Sequence, residues 1–278
     1  MIGTNLAITT KNYAVAGGAV VYDTDALAYF TANTAITNDA DKNAINTFYL
    51  GLKSDGIYTK IKAMYLPIWG SAASSKWNLV NPVDSDAAFR LTFTTGWTFS
   101  SSGATPNGTS AYCNTFIIPS SNFNNTTFNH LSYYSRTNNN NIDFLMGSRN
   151  SNETALILSG RDTFWGYYCD NSSSTYRNSY NTTLRNTAAM SIGTQQGSNI
   201  KVFRNNNLIA QNTEVKFALS TFGNRNIIIG AWDNNGTISN YTNKQCSFVS
   251  IGISLSDTDV NNLYSRVQTL MTYFGINV

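Results

Sequence analysis

Two stretches of this chain mix aromatic rings with amides and carboxylates, the combination that holds sugars. One runs Trp165-Gly166-Tyr167-Tyr168 into Asp170-Asn171-Ser172-Ser173 and Tyr176-Arg177; the other runs Trp232-Asp233-Asn234-Asn235-Gly236 to Asn240-Tyr241. A sugar ring stacks its C–H face on an aromatic ring, and amides and carboxylates take its hydroxyls. The candidate contacts on that chemistry are Trp232, Asp233 and Asn235 in one loop and Trp165, Tyr168 and Asn171 in the other. A plainer reading competes for both loops, with the tryptophans as core or rim aromatics and the amides as turn formers. Asp233-Asn234-Asn235 also offers oxygens to a Ca²⁺ ion, although one carboxylate is thin for a tight site. No other cofactor or metal is expected.

Catalytic readings were tested by subtraction. Retaining glycosidases need two carboxylates about 5–5.5 Å apart, which sandwich glucanases place on one strand in a Glu-x-Asp-x-Glu pattern. Here the only glutamates are Glu153 and Glu214, in unrelated contexts. Asp84 and Asp86 have alternate spacing but stand at a strand entrance, where capping or turn formation explains them. A polysaccharide lyase needs a proton-abstracting His or Tyr beside a neutralising Arg or Gln. The one histidine, His130, starts an expected strand, and a loop or strand-edge position is its default reading. One histidine also leaves no Ser-His-Asp arrangement and no His-based metal site. Cys113, Cys169 and Cys246 lie far apart with no CxxC spacing, and read as buried thiols. The expectation is a protein without catalytic activity.

Composition agrees with a binding or structural role. Charged residues make up 12% of the 278, about half the usual share of roughly 25%. Asn, Ser and Thr instead cover the surface, which suits many short strands joined by turns. The net charge is +3 with no Lys/Arg run, so a nucleic-acid footprint is absent. Apolar runs such as Ile227 to Ala231 fall far short of the ~20 residues of a membrane span. Residues 1–24 lack the basic and unbroken apolar blocks of a signal peptide, so synthesis in a cytoplasm is expected.

The elements that must position these residues follow from periodicity. Residues 1–24, small and nearly uncharged around Gly17-Gly18, read as an extended arm. Residues 25–69 read as helical: a short helix over Asp25 to Asn33, then one capped by Thr37 with Ala44, Ile45, Phe48 and Leu52 on one face and Gly56 as stop, then a third over Ile57 to Leu66. From about residue 70 the pattern alternates as strands. These are expected at 87–94, 110–117, 130–137, 142–148, 154–159, 163–169, 187–194, 199–204, 207–211, 226–231 and 245–254. Asn205-Asn206-Asn207 joins two of them as a hairpin turn. A last helix starts with the capping-box-like Ser256-Asp257-Thr258-Asp259 and ends at Gly275. The fold class is mainly β: a jelly-roll sandwich over 70–278 including a C-terminal helix, preceded by a helical segment.

Several of these stretches resemble a known family. Asp84-Ser85-Asp86-Ala87-Ala88-Phe89-Arg90-Leu91-Thr92-Phe93, with Gly96-Trp97-Thr98 and Pro106-Asn107-Gly108-Thr109, resembles the opening strands of concanavalin A-like (laminin G-like) jelly-roll domains of tailed-phage virion proteins. The likeness continues through Asp41 to Asn46, Gly51 to Gly56, Leu131 to Thr137 and Ile228-Ile229-Gly230, and ends in the Leu255-Ser256-Asp257 turn and its helix. It implies a concanavalin A-like sandwich in a bacteriophage virion, as a capsid decoration, head-fibre or tail-associated subunit. It further implies other virion proteins as partners, a homo-oligomer, and contact with host-surface glycans. A lectin-like receptor-binding adhesin is the alternative, and a glycan-degrading enzyme the second alternative. The arm at 1–22 is expected to dock on a neighbouring subunit as an extended strand.

Overall fold

The computed structural model describes residues 20–123, 129–139, 141, 143–150, 155–160, 165–168, 178–179, 186–197, 199–213 and 223–278. The expected arm lies almost wholly outside them. Two helices open the described chain, Thr24–Ala32 and Asp39–Ser54, and a third, Asp257–Tyr273, closes it. Asp23 caps the first by accepting the Asp25 N–H. Lys53, in the last turn of the second, bonds Asp23 and Asp25 at 2.7 and 2.6 Å and so clamps the pair together. The N-cap of the second helix is Asn38, accepting from the Ala40 N–H, one residue beyond the expected Thr37. Gly56 ends it in the left-handed region, at φ +69. The final helix has the expected capping box: Ser256 accepts the Asp259 N–H while Asp259 accepts the Ser256 N–H. Arg266 on that helix pairs with Asp55 at 2.8 Å, its side chain lying across Gly51, where a Cβ would come within 2.7 Å.

The three helices cover one face of a six-stranded antiparallel sheet. Its spatial order is Ile61–Tyr65, Phe248–Gly252, Asn129–Ser135, Ala189–Gln196, Asn199–Arg204, Asn207–Asn212. A second sheet covers the other face. It runs Asn178–Ser179, Trp165–Tyr168, Ala155–Gly160, Met146–Arg149, Ile228–Ile229, Cys113–Asn114, Thr92–Phe93, with the hairpin Trp232–Asn234/Thr237–Ser239 added beside Met146–Arg149. The chain is therefore a mainly β sandwich with a helical layer on one side, as its alternating pattern indicates.

The first sheet has no solvent face over its centre, and its side chains divide by parity. Tyr134, Phe248, Met190 and Ile192 enter the core under the helices, with Phe248 meeting Phe48 at 5.9 Å, edge to face. Tyr133, Val249, Ile251 and Leu131 enter the core between the sheets. Such large apolar side chains contribute roughly 1.5–3 kcal/mol each by burial. The Tyr134 hydroxyl donates to Gln268 Oε1 and accepts the Val278 N–H, fastening the end of the chain to the sheet.

Two expectations are corrected, and one element is added. The third helix over 57–66 is a single 3-10 turn, Tyr58–Lys60, followed by the edge strand Ile61–Tyr65. A bulge between Ile61 and Ala63 sends Ile61 and Met64 to the helical core and Ala63 and Tyr65 to the other, a pattern that imitates a helical spacing. The strand over 87–94 shrinks to Thr92–Phe93, because Ser85 caps a 3-10 turn at Asp86–Ala88 and Phe89 takes φ +60. The hairpin Trp97–Ser100/Gly103–Pro106, not anticipated, forms its own ladder.

Between the sheets lies one ion pair with both side chains only 1% exposed: Lys244 Nζ meets Asp143 at 2.9 and 3.0 Å, and Thr242 Oγ1 donates to the same carboxylate at 2.6 Å. Removing one partner strands a buried charge. Lys244→Met is expected to lower unfolding stability by about 3–5 kcal/mol in a denaturant melt, and Lys244→Met with Asp143→Leu to recover much of it. A single variant within about 1 kcal/mol of the parent would contradict the pairing.

Candidate functional site

The Trp232 loop is a hairpin with a two-residue turn. Asn235 and Gly236 sit at φ 55 and 92, the paired positive values of a type I′ turn. Asp233 Oδ1 accepts the Gly236 N–H at 2.6 Å, and the Asn235 N–H donates to Arg149 O at 2.9 Å. The first strand of the hairpin runs parallel to Met146–Arg149, with Asp233 beside Ser148 and Asn234 beside Arg149. Met146 and its partner Leu158 face the inter-sheet core. By alternation the positions of Arg149, Asn234 and Trp232 therefore lie on the outer face, and Asp233 turns inward.

Trp232 is not an open stacking platform. It is 8% exposed, with Phe144 5.1 Å from its ring and the Arg149 guanidinium carbon 5.9 Å away. Its indole N–H donates to Asn240 Oδ1 at 3.2 Å. Asp233 is 9% exposed and its carboxylate serves the turn. Asn235 is exposed, and neither its side-chain amide nor that of Asn234 is hydrogen-bonded within the described protein. Of the three residues singled out in this loop, Asn235 alone offers solvent a free group.

The second loop is partly placed. The strand Trp165–Tyr168 belongs to the same sheet, with Tyr168 opposite Ile157 and Ile157 opposite Gly147. Position 168 thus shares the outer face and lies three strands, about 14 Å, from the hairpin. Position 165 falls on the opposite face. Asn171 lies outside the described residues, as do Glu153, Glu214 and Cys169.

Asp84, Asp86 and His130 each have partners within the described residues. Asp84 bonds Lys76 at 2.6 Å and Arg90 at 2.8 Å, which hold its carboxyl below the usual range, and Arg90 also reaches Asp86. His130 is fully buried in the central strand Asn129–Ser135, against the expectation of a loop or strand edge. Its Nδ1 lies 2.6 Å from Ile253 O and its Nε2 3.0 Å from Ser250 Oγ, which meets Ser132 Oγ at 2.6 Å. Desolvation drives its pKa down to about 4, only partly opposed by the bond to Ile253 and by Asp259. Cys113 and Cys246 are buried free thiols, pushed up by burial. Among the described residues no three His, Cys, Asp or Glu side chains converge on a metal position.

Sequence reasoning passed over two residues at this hairpin. Arg149 emerges only through its register with Asn234. Arg225 is brought alongside Gly236, eleven positions later, by the path between Ile228–Ile229 and the hairpin. The Asn224-Arg225-Asn226 triplet was the available signal.

No protein-family profile matches the chain, and no curated protein matches it. Solved structures do overlap it. The CBM40 domain of the Ruminococcus gnavus IT-sialidase, bound to α2,3-sialyllactose, aligns at 16% identity and TM-score 0.36 over 48% of this chain and 78% of that one. The K499G mutant of the NanB sialidase from Streptococcus pneumoniae aligns at 15% and 0.42 over 52% of this chain and 25% of that one. A Trypanosoma rangeli sialidase mutant displaying trans-sialidase activity aligns at 10% and 0.49, over 81% and 39%. None reaches a TM-score of 0.5, and the architecture above rests on this chain's own strands.

As the only histidine, His130 can be titrated without ambiguity. Its folded pKa of about 4 lies below the unfolded value of 6.5. The unfolded chain therefore binds the proton first, and the stabilising contribution, full above pH 6.5, is lost as pH falls toward 4. The imidazole ring resonances in NMR are expected to keep their neutral positions until about pH 4. A midpoint near 6.5 would contradict the buried network.

Proposed function

We propose that this protein is a non-enzymatic surface subunit of a tailed-phage particle that contacts host-surface glycans through the hairpin end of its second sheet. The observation that carries the glycan contact is the pair of side-chain amides at Asn234 and Asn235. Among the described residues neither makes a side-chain hydrogen bond, and both stand on a turn braced by Asp233 and Arg149. Sugars are bound by such pre-positioned amides because each supplies a donor and an acceptor to adjacent hydroxyls. The particle assignment is supported by the resemblance of strand text and order to laminin G-like virion domains. The non-enzymatic assignment is supported by the burial of His130 and by the ion pairs that engage the exposed carboxylates of Asp84 and Asp86.

The lectin-like adhesin differs from a purely structural decoration subunit in this one surface. A decoration subunit covers or cements the particle and has no use for uncommitted amides at a rigid turn. The free amides favour an adhesive contribution within the structural role.

Asn235→Gly separates the amide from the turn, since glycine keeps the positive φ at no steric cost. On a glycan array including sialylated, uronate-containing and neutral sugars, the parent protein is expected to bind a subset at micromolar to millimolar strength. Asn234→Ala with Asn235→Gly is expected to weaken that binding at least about tenfold while the melting temperature stays within a few degrees. An array without binding, binding indifferent to both substitutions, or release of cleaved glycan would each overturn part of the reading. Mass spectrometry of purified particles is expected to find this polypeptide, and its absence would remove the virion assignment.

A further inference from the structure

One cation at the hairpin has no partner among the described residues. Lys53, Lys60, Lys76, Arg90, Lys244 and Arg266 each meet a carboxylate within 3.0 Å. Arg225 is half-buried, yet among the described residues it makes neither an ion pair nor a hydrogen bond. Its guanidinium lies along the turn: Nη2, Cζ and Nη1 stand 3.0, 3.3 and 3.5 Å from where a Cβ on Gly236 would be. Glycine is favoured there by φ +92, and a Cβ would press on the guanidinium. The exposed amide of Asn224 and the amides of Asn234 and Asn235 belong to the same two segments. The Asp233 carboxylate accepts the Gly236 N–H, and among the described residues it forms no ion pair with Arg225.

We propose that this end of the sheet recognises a carboxylate-bearing sugar, with Arg225 holding the carboxylate and Asn234 and Asn235 the neighbouring hydroxyls. The proposal rests on the reading of the hairpin as a glycan contact and adds the class of sugar. A guanidinium presents its donors as a planar fork that matches a carboxylate in two parallel bonds, a geometry that no neutral sugar satisfies. Partial burial favours the pairing further, because the guanidinium has already lost part of its water and screening by salt is weaker than at an open surface. Uronic and sialic acids share the required group, a carboxylate attached to the sugar ring.

Matched probes isolate that group. Oligogalacturonate is compared with its methyl ester, and sialyllactose with lactose, by calorimetric or NMR titration of the full chain. The acidic member of at least one pair is expected to bind tenfold or more tighter than its neutral partner, with the advantage shrinking at high salt. Arg225→Gln is expected to bring the two members within about twofold, and Arg225→Lys to retain part of the difference. Equal binding of acidic and neutral members, or a preference that persists in Arg225→Gln, would overturn the carboxylate assignment and leave the glycan contact standing. Failure of every probe, acidic and neutral, on an array as well as in titration would remove both.

Discussion

The structure depends on a sheet buried on both faces. In most antiparallel sandwiches a sheet has one wet face and one dry one. Here the six-stranded sheet lies between a helical layer and a second sheet, so consecutive residues of its central strands must both be apolar or internally bonded. Tyr133 and Tyr134 show the consequence side by side, one closing the inter-sheet core through a bond from its hydroxyl to Lys244 O and the other reaching Gln268 in the final helix. His130, Ser250 and Ser132, buried in these strands, bond one another in a chain. The same constraint keeps the histidine neutral down to about pH 4.

The candidate site inherits its rigidity from that arrangement. The hairpin at Trp232–Ser239 has little core of its own, being two three-residue strands. It is held by the parallel pairing with Met146–Arg149, by Phe144 against Trp232, and by the bond from the Asn235 N–H to Arg149 O. The buried Lys244–Asp143 pair lies in the adjoining chain segments, next to Phe144 and Thr242. The turn is thus a loop tip on a fixed base, which lets free amides and a guanidinium keep one geometry without bonds of their own.

Much of this was legible in the sequence, for physical reasons that differ from place to place. The last helix was readable because its cap is local: Ser256 satisfies a backbone donor three residues away. The central strands were readable as short segments bounded by Asn and Ser turns. The edge strand Ile61–Tyr65 was not, because its bulge shifts side-chain parity and imitates a helix. Thr92–Phe93 was overestimated because Asp84, Ser85 and Asp86 impose a capped 3-10 turn and a left-handed Phe89 on a segment with strand-like alternation. At the site, Asn235-Gly236 announced its turn, but the covering of Trp232 by Phe144 and Arg149 comes from partners about 90 residues upstream. Arg225 approaches Gly236 only through the tertiary path, and composition alone could not have singled it out among the 18 basic residues.

The central claim is that the outer face of the hairpin is the surface that meets a ligand. Backbone NMR of the isotopically labelled chain, titrated with polysaccharide prepared from host cell surfaces, tests this most directly. The account predicts shift changes concentrated at 224–226 and 234–236, with the helical layer and the His130 strand unmoved. Changes clustered in the helical layer, at the Trp97–Ser100 ladder or elsewhere, with the hairpin silent, would contradict it.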